Sequence, residues 1–134
     1  MTNWEKTKLL LIDEDPILIY ARRGDVDGIR KSLNILNVNK KDEKGYSPLM
    51  LAAMNGHVDA VRFLLSVPAD INSLDNHGNS ILMGATFTGQ TAIVEILLDH
   101  GADPNVCNLK KQTALLFART FKLTKIEKVL LQHQ

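Results

Sequence analysis

The sequence predicts an all-α solenoid, a stack of helix-turn-helix units with projecting hairpin loops. Three observations carry that expectation. Gly56 and Gly89 stand 33 residues apart in matching surroundings, Ser47-Pro48-Leu49-Met50-Leu51-Ala52-Ala53-Met54-Asn55-Gly56 and Ser80-Ile81-Leu82-Met83-Gly84-Ala85-Thr86-Phe87-Thr88-Gly89. Each is followed by an apolar helical stretch, Val61 to Leu65 and Ile93 to Leu98. Each stretch then closes with Ala-Asp-x-Asn, at Ala69-Asp70-Ile71-Asn72 and Ala102-Asp103-Pro104-Asn105. Self-similarity at a fixed period marks architectures whose units bury their apolar faces only against neighbours. Such arrays offer extended binding surfaces rather than catalytic pockets.

The period extends in both directions. Around Gly24, Asp15-Pro16-Ile17-Leu18-Ile19-Tyr20-Ala21-Arg22-Arg23 takes the place of Ser47 to Asn55, and Val38-Asn39 that of Ile71-Asn72. Forward of Gly89, Lys122 replaces the glycine, Thr113 to Phe121 fits the same frame, and Ile126, Val129, Leu130 and Leu131 supply the second apolar stripe. One domain, residues 1–134, therefore divides into units at about 8–41, 42–74, 75–107 and 108–134, the outer two degenerate as end caps.

Each unit reads in order. Ser47 is a good N-cap and Pro48 suits the first helical turn, where its missing N–H costs nothing; Asp15-Pro16 repeats the pairing. Small Ala52, Ala53 and Ala85 let neighbouring helices approach. Gly56 and Gly89 permit the positive φ that ends a helix sharply. A longer antiparallel helix follows, then a hairpin built on Asp42-Glu43-Lys44-Gly45 or Asp75-Asn76-His77-Gly78. Trp4 and Leu9-Leu10-Leu11-Ile12 lie before the first unit, as a short helix sealing it or as a partner contact.

These residues resemble the ankyrin repeat. Unit 2 carries its pattern nearly whole: Asp42, Gly45, Ser47-Pro48-Leu49, Ala52-Ala53, Gly56-His57, Val61, Leu64-Leu65, Ala69-Asp70 and Asn72. Unit 3 carries Asp75, Gly78, Leu82, Ala85, Gly89, Leu97-Leu98 and Gly101-Ala102-Asp103-x-Asn105. The histidine that ends the family's Thr-Pro-Leu-His is absent, replaced by Leu18, Met50, Met83 and Leu116. The hydroxyl-to-imidazole bonds that the resemblance would imply are therefore missing, and apolar packing is expected to do more of the work.

Composition narrows the function. The net charge of +1 argues against a dedicated nucleic-acid binder, which usually carries a basic stripe. Unit 4 is locally basic, at Lys110, Lys111, Arg119, Lys122, Lys125 and Lys128; this is a solvated end face or a phosphate-binding patch. The single cysteine, Cys107, excludes an internal disulfide and takes the place of Leu74, so it is expected to be packed rather than reactive. No stretch is long and apolar enough to cross a membrane, and Leu9 to Ile12 is too short for a signal-peptide core. The chain as written is expected to be cytoplasmic, or periplasmic or secreted if a signal peptide has been removed.

No catalytic constellation emerges, so an enzyme is not expected. His57, His77, His100 and His133 do not pair at metal-ligand spacing, and Cys107 has no nearby companion, so neither metal nor cofactor is expected. There is no Gly-rich phosphate loop and no nucleophile elbow. Asp13-Glu14-Asp15 is the one dense acidic group, a helix-start cluster or a functional site.

A partner is expected on the concave face that the resemblance implies, formed by hairpin tips and the exposed sides of first helices. Met54, Phe87 and Phe121 are expected at one place in successive units, just before the helix-ending glycine or its substitute, with Arg22 in unit 1 and Tyr46 alongside. Aromatics, Met and Arg are enriched at interface centres; the alternative is that Phe87 and Phe121 fold inward between repeats. Arg23, Asn55, His77, Asn79, Thr88, Lys110 and Gln112 complete the candidate set. The expected function is protein–protein recognition by a monomer, of the inhibitor or immunity type that covers a partner enzyme, with a non-inhibitory adaptor as the alternative. Neither nucleic acid nor membrane is expected as a partner.

Overall fold

The computed structural model describes Asn3 and residues 14–134. Among these, eight helices form four antiparallel pairs: α1 (Pro16–Arg23) with α2 (Val26–Ser32), α3 (Pro48–Met54) with α4 (Val58–Leu65), α5 (Ile81–Phe87) with α6 (Thr91–Asp99), and α7 (Ala114–Thr120) with α8 (Thr124–Gln132). The fold is the all-α repeat solenoid that the period predicts. The suggested helix at Trp4 and Leu9 to Ile12 lies outside the described residues.

Every first helix starts as its sequence dictates. The side chains of Ser47, Ser80 and Thr113 accept hydrogen bonds from the N–H groups of Met50, Met83 and Leu116, at 3.2, 3.1 and 3.2 Å. Asp15 accepts one from Ile17 N–H at 3.1 Å. These caps satisfy amide groups that the helix itself leaves without partners. The exits are equally uniform. Where the other units place glycine, unit 4 holds Lys122 in the left-handed region at φ 56°, and its hairpin holds Lys111 there at φ 63°. An L side chain is strained in that region, so unit 4 keeps the repeat geometry against its own residue preferences.

The second helix is longer than the first in units 2 to 4 but not in unit 1, where α2 has seven residues and α1 eight. The cause lies just beyond it. Asn34 Oδ1 accepts from Leu36 and Asn37 N–H at 2.8 and 3.1 Å, and Asn37 Oδ1 accepts from Asn34 N–H at 2.8 Å. Asparagine side chains that bond nearby backbone compete with helix, and here they end it.

The units stack in two rows, first helix on first helix and second on second. Ala21, Ala52, Ala53 and Ala85 are fully buried, which lets backbones approach. Met50 and Met83 are buried to 1% exposure, as expected of residues that replace the inter-repeat histidine. Leu18 is buried as well, whereas Leu116 is 45% exposed because it faces outward from unit 4. That outer side is polar where the inner interfaces are not. The buried Ala53 and Thr86 give way to Arg119 at the same register, and the buried Val61 and Val94 to Glu127. Arg119 Nε and Glu127 Oε1 form an ion pair at 3.1 Å.

Most hydrogen bonds between units come from the loops, a contribution that apolar packing alone did not predict, and the His57 ring adds one to Arg22 O at 3.0 Å. Asn39 Oδ1 accepts from Asp70 N–H at 2.7 Å, and Asn72 Oδ1 repeats the contact to Asp103 N–H at 3.0 Å. Neighbouring hairpins are joined through the backbone, Asn76 N–H to Lys44 O and Leu109 N–H to His77 O, each at 3.0 Å. Cys107, expected to be packed, is exposed. Its counterpart Leu74 is itself 38% exposed, so the position lies at the edge of the stack.

Met83→Ala should cost about 2–4 kcal/mol through weaker packing and the cavity left behind, read as a lower denaturant midpoint with an unchanged slope. Lys122→Gly should do the opposite. Relief of the left-handed strain exceeds the added freedom of the unfolded chain, and stability should rise by about 1 kcal/mol. The native protein should also react with a thiol reagent at Cys107 at the rate of its urea-unfolded form; strong protection would mean the thiol is covered.

Candidate functional site

Three equivalent hairpins build one edge of the concave face. Asp42, Asp75 and Asn108 occupy the same register, and each folds its side chain into its own turn. Asp42 Oδ1 accepts from Lys44 and Tyr46 N–H, both at 2.9 Å. Asp75 Oδ1 accepts from His77 and Asn79 N–H at 2.8 and 2.9 Å. Asn108 Oδ1 accepts from Lys110 and Gln112 N–H, both at 2.9 Å. The result fixes two rows at repeat spacing: Lys44, His77 and Lys110 exposed at the tips, and Tyr46, Asn79 and Gln112 half-buried beneath them.

Between these rows and the first helices of units 2 to 4 lies a groove of about 510 Å³. Met54, Met83 and Gly84 lie along it, with Tyr46 at one end and Phe87, Phe117 and Phe121 at the other. The three phenylalanines form a cluster. Phe87 meets Phe117 and Phe121 edge to face, with centroids 5.8 and 5.4 Å apart, and Phe117 stacks on Phe121 at 6.4 Å. Phe87 and Phe121 remain 60% and 51% exposed, so they do not fold inward. Tyr46 is half-buried; burial, and then the nearby carboxylates of Asp75 and Asp42, push its hydroxyl pKa up and keep it protonated.

A second groove adjoins the first across Tyr46 and Met54 and is charged, lined by Glu14, Asp15, Arg22, Lys40, Lys41, Asp42 and Glu43 among others. Its charges are largely paired. Arg22 bonds Glu14 at 2.6 Å and lies 3.8 Å from Asp42, and Lys40 lies 3.7 Å from Asp15. The hydrogen bond to Glu14 raises the Arg22 pKa further.

The structure changes the predicted stripe in one respect. The last residues of the first helices are Met54, Phe87 and Thr120, whereas Asn55, Thr88 and Phe121 are the residues that cap them. Phe121 therefore stands one residue later than Met54 and Phe87 in the repeat. It reaches the same patch because it follows Phe117 by one helical turn and folds back on Phe87.

The other predicted residues divide by what their polar groups do. Arg22, Asn55 and Thr88 line the charged groove, and Arg23 lines neither groove. Asn55 donates to Leu51 O at 2.7 Å and Thr88 to Gly84 O at 2.9 Å. Asn79 and Gln112 both accept from Asn108 Nδ2, at 2.9 and 3.0 Å, which ties hairpin to hairpin. His77 and Lys110 stand free of ion pairs among the described residues. Sequence reasoning missed Phe117 and Gly84. Both sit 33-residue steps from Leu51, so the repeat register could have placed them on this face.

Among the described residues no three His, Cys, Asp or Glu side chains gather to hold a metal ion, and no helix is long and apolar enough to cross a membrane. What the face offers is area: exposed rings, an open groove and a row of basic side chains on a rigid scaffold. Stacked helix pairs with such a face define a helical-repeat interaction module. A family description, ankyrin repeats in three copies, matches residues 17–108, and the chain belongs to the ankyrin-repeat family. Proteins of this family are in general non-catalytic modules that bind other proteins.

Curated relatives match parts of the chain. The chain is 36% identical to the yeast ankyrin repeat-containing protein YAR1 (Saccharomyces cerevisiae) over 40% of its own length and 30% of that protein's. It is 33% identical to bovine ankyrin repeat domain-containing protein 49 over 51% of its length and 31% of the relative's. Human DNA-binding protein RFXANK is 38% identical over 44% of the chain and 24% of that protein. The chain thus spans less than a third of each of these relatives.

Proposed function

We propose that this protein binds a partner protein through its concave face and acts by covering the surface it binds, as an inhibitor or immunity-type protein does. The observation that carries the reading is the cluster of Phe87, Phe117 and Phe121, two of whose rings stay more than half exposed on a face otherwise built for rigidity. Exposed aromatic rings held in fixed positions bind at low entropic cost, and such residues dominate interface energetics. Caps, hairpin turns and inter-unit bonds all hold that face in place before any partner arrives. We propose action as a monomer, by binding and without catalysis, in the cytoplasm.

The experiment is affinity capture with mass spectrometry, followed by titration of the purified partner. Phe87→Ala should weaken binding by about 2 kcal/mol or more. It should lower stability by only about 1 kcal/mol, the scale of an aromatic pair interaction. Stoichiometric mixing should suppress the partner's activity, and the suppression should fall in step with affinity. Full partner activity at saturation would favour the adaptor reading. Undiminished affinity in Phe87→Ala would remove the concave face from the interface.

A further inference from the structure

The net charge of +1 hides an uneven distribution. Residues 108–134 hold Lys110, Lys111, Arg119, Lys122, Lys125 and Lys128 against one acid, Glu127; six cations less one acid leave +5. Unit 3 before them holds Asp75, Glu95, Asp99 and Asp103 and neither lysine nor arginine, which leaves −4. Glu127 is held by Arg119 at 3.1 Å. The five lysines of unit 4 are exposed, and none is in an ion pair among the described residues.

Two of these lysines stand where the repeat uses glycine. Lys111 takes the place of Gly45 and Gly78 in the hairpin, and Lys122 that of Gly24, Gly56 and Gly89 after the first helix. Both are held left-handed, at φ 63° and 56°. Fold stability alone favours glycine at both places, so what lysine contributes there is its ammonium group. Backbone strain of this kind persists where a site makes use of it. The pair brackets α7, with Lys111 three residues before Ala114 and Lys122 two after Thr120. Positive charge confined to one unit also selects the ligand. A nucleic-acid strand carries charge along its whole length, and beyond unit 4 it would meet the carboxylates of unit 3. A short acidic stretch of polypeptide can set its carboxylates over α7 and present neutral residues elsewhere.

We propose that unit 4 docks a short acidic segment of the partner protein, whose carboxylates meet Lys111 and Lys122 at the two ends of α7. The proposal rests on the reading of this chain as a binder of partner proteins. Through Phe121, which directly precedes Lys122 and is 51% exposed, the contact adjoins the aromatic cluster.

The test selects random linear dodecapeptides, displayed on phage, on the full protein. Recovered peptides are synthesised and titrated against the wild type, Lys111→Gly/Lys122→Gly, Lys111→Arg/Lys122→Arg and Phe87→Ala. They should be rich in Asp and Glu, and should bind the wild type less well as salt rises. The double glycine variant should melt above the wild type, its strain relieved, yet bind them about fivefold more weakly. The double arginine variant keeps the charge and should bind as the wild type does. Because glycine raises stability while it removes binding, unfolding cannot account for the loss. Acidic peptides that bind the double glycine variant undiminished would overturn the role of the two lysines, as would arginine failing to replace them. A double glycine variant that melts below the wild type would overturn the strain argument that singles them out. Neutral or basic peptides that are lost with Phe87→Ala would overturn the acidic segment and leave the concave-face reading standing. Peptides indifferent to every variant would overturn both readings. Recovery of none above the bare support, or tighter binding of a single-stranded oligothymidylate of the same length, would overturn the acidic segment.

Discussion

The structure depends on burial between units rather than within them. A single helix pair of this chain has no interior of its own. Met50 and Met83 are covered because the next first helix lies against them, and Val61 and Val94 because the next second helix does. Contact of this kind runs only between neighbours, so order passes along the array from each unit to the next. The backbone bonds between hairpins and the asparagine contacts between loops add direction to that packing. They fix the turn of one unit on the next, which apolar contact alone would leave loose.

That register has a functional result. Because each unit repeats its predecessor's geometry, any side chain type placed at one repeat position becomes a row in space. The tips make a row of Lys44, His77 and Lys110, and the residues beneath them a row of Tyr46, Asn79 and Gln112. The face between hairpins and first helices is the superposition of such rows, with departures where one unit differs. The phenylalanines of units 3 and 4 are one departure, and the glycine at position 84 is another.

Most of the scaffold is legible in the sequence because its causes are local. Ser47 with Pro48, Gly56 and Ala52-Ala53 state where a helix begins, ends and is approached, and the 33-residue step copies that statement along the chain. Burial of Met50 and Met83 follows from register alone. The face is harder to read. Phe121 reads one position early because it directly precedes Lys122, whereas Met54 and Phe87 stand two residues before Gly56 and Gly89 and the 33-residue step from Phe87 reaches Thr120. Phe117 and Gly84 escape notice because a half-buried phenylalanine and a helical glycine look ordinary one residue at a time. Cys107 reads as packed because it aligns with a leucine, but that leucine is itself partly exposed. The roles of Asn39, Asn72 and Asn108 depend on groups about thirty residues away, and no local pattern announces them.

Arg119 and Glu127 stand where inner units have Thr86 and Val94, and this bears on how copies of the protein meet. An array built from like surfaces carries a risk: the outgoing side of one molecule resembles the seat that its own units use, so molecules could join head to tail into open filaments. A guanidinium and a carboxylate on that side change the outcome. A docking copy would have to strip water from both ions, and burial of an ion pair recovers little or none of that cost. Leu116 and Leu131 are exposed on that same side, and the ion pair makes the side costlier to cover than the apolar interfaces between the inner units.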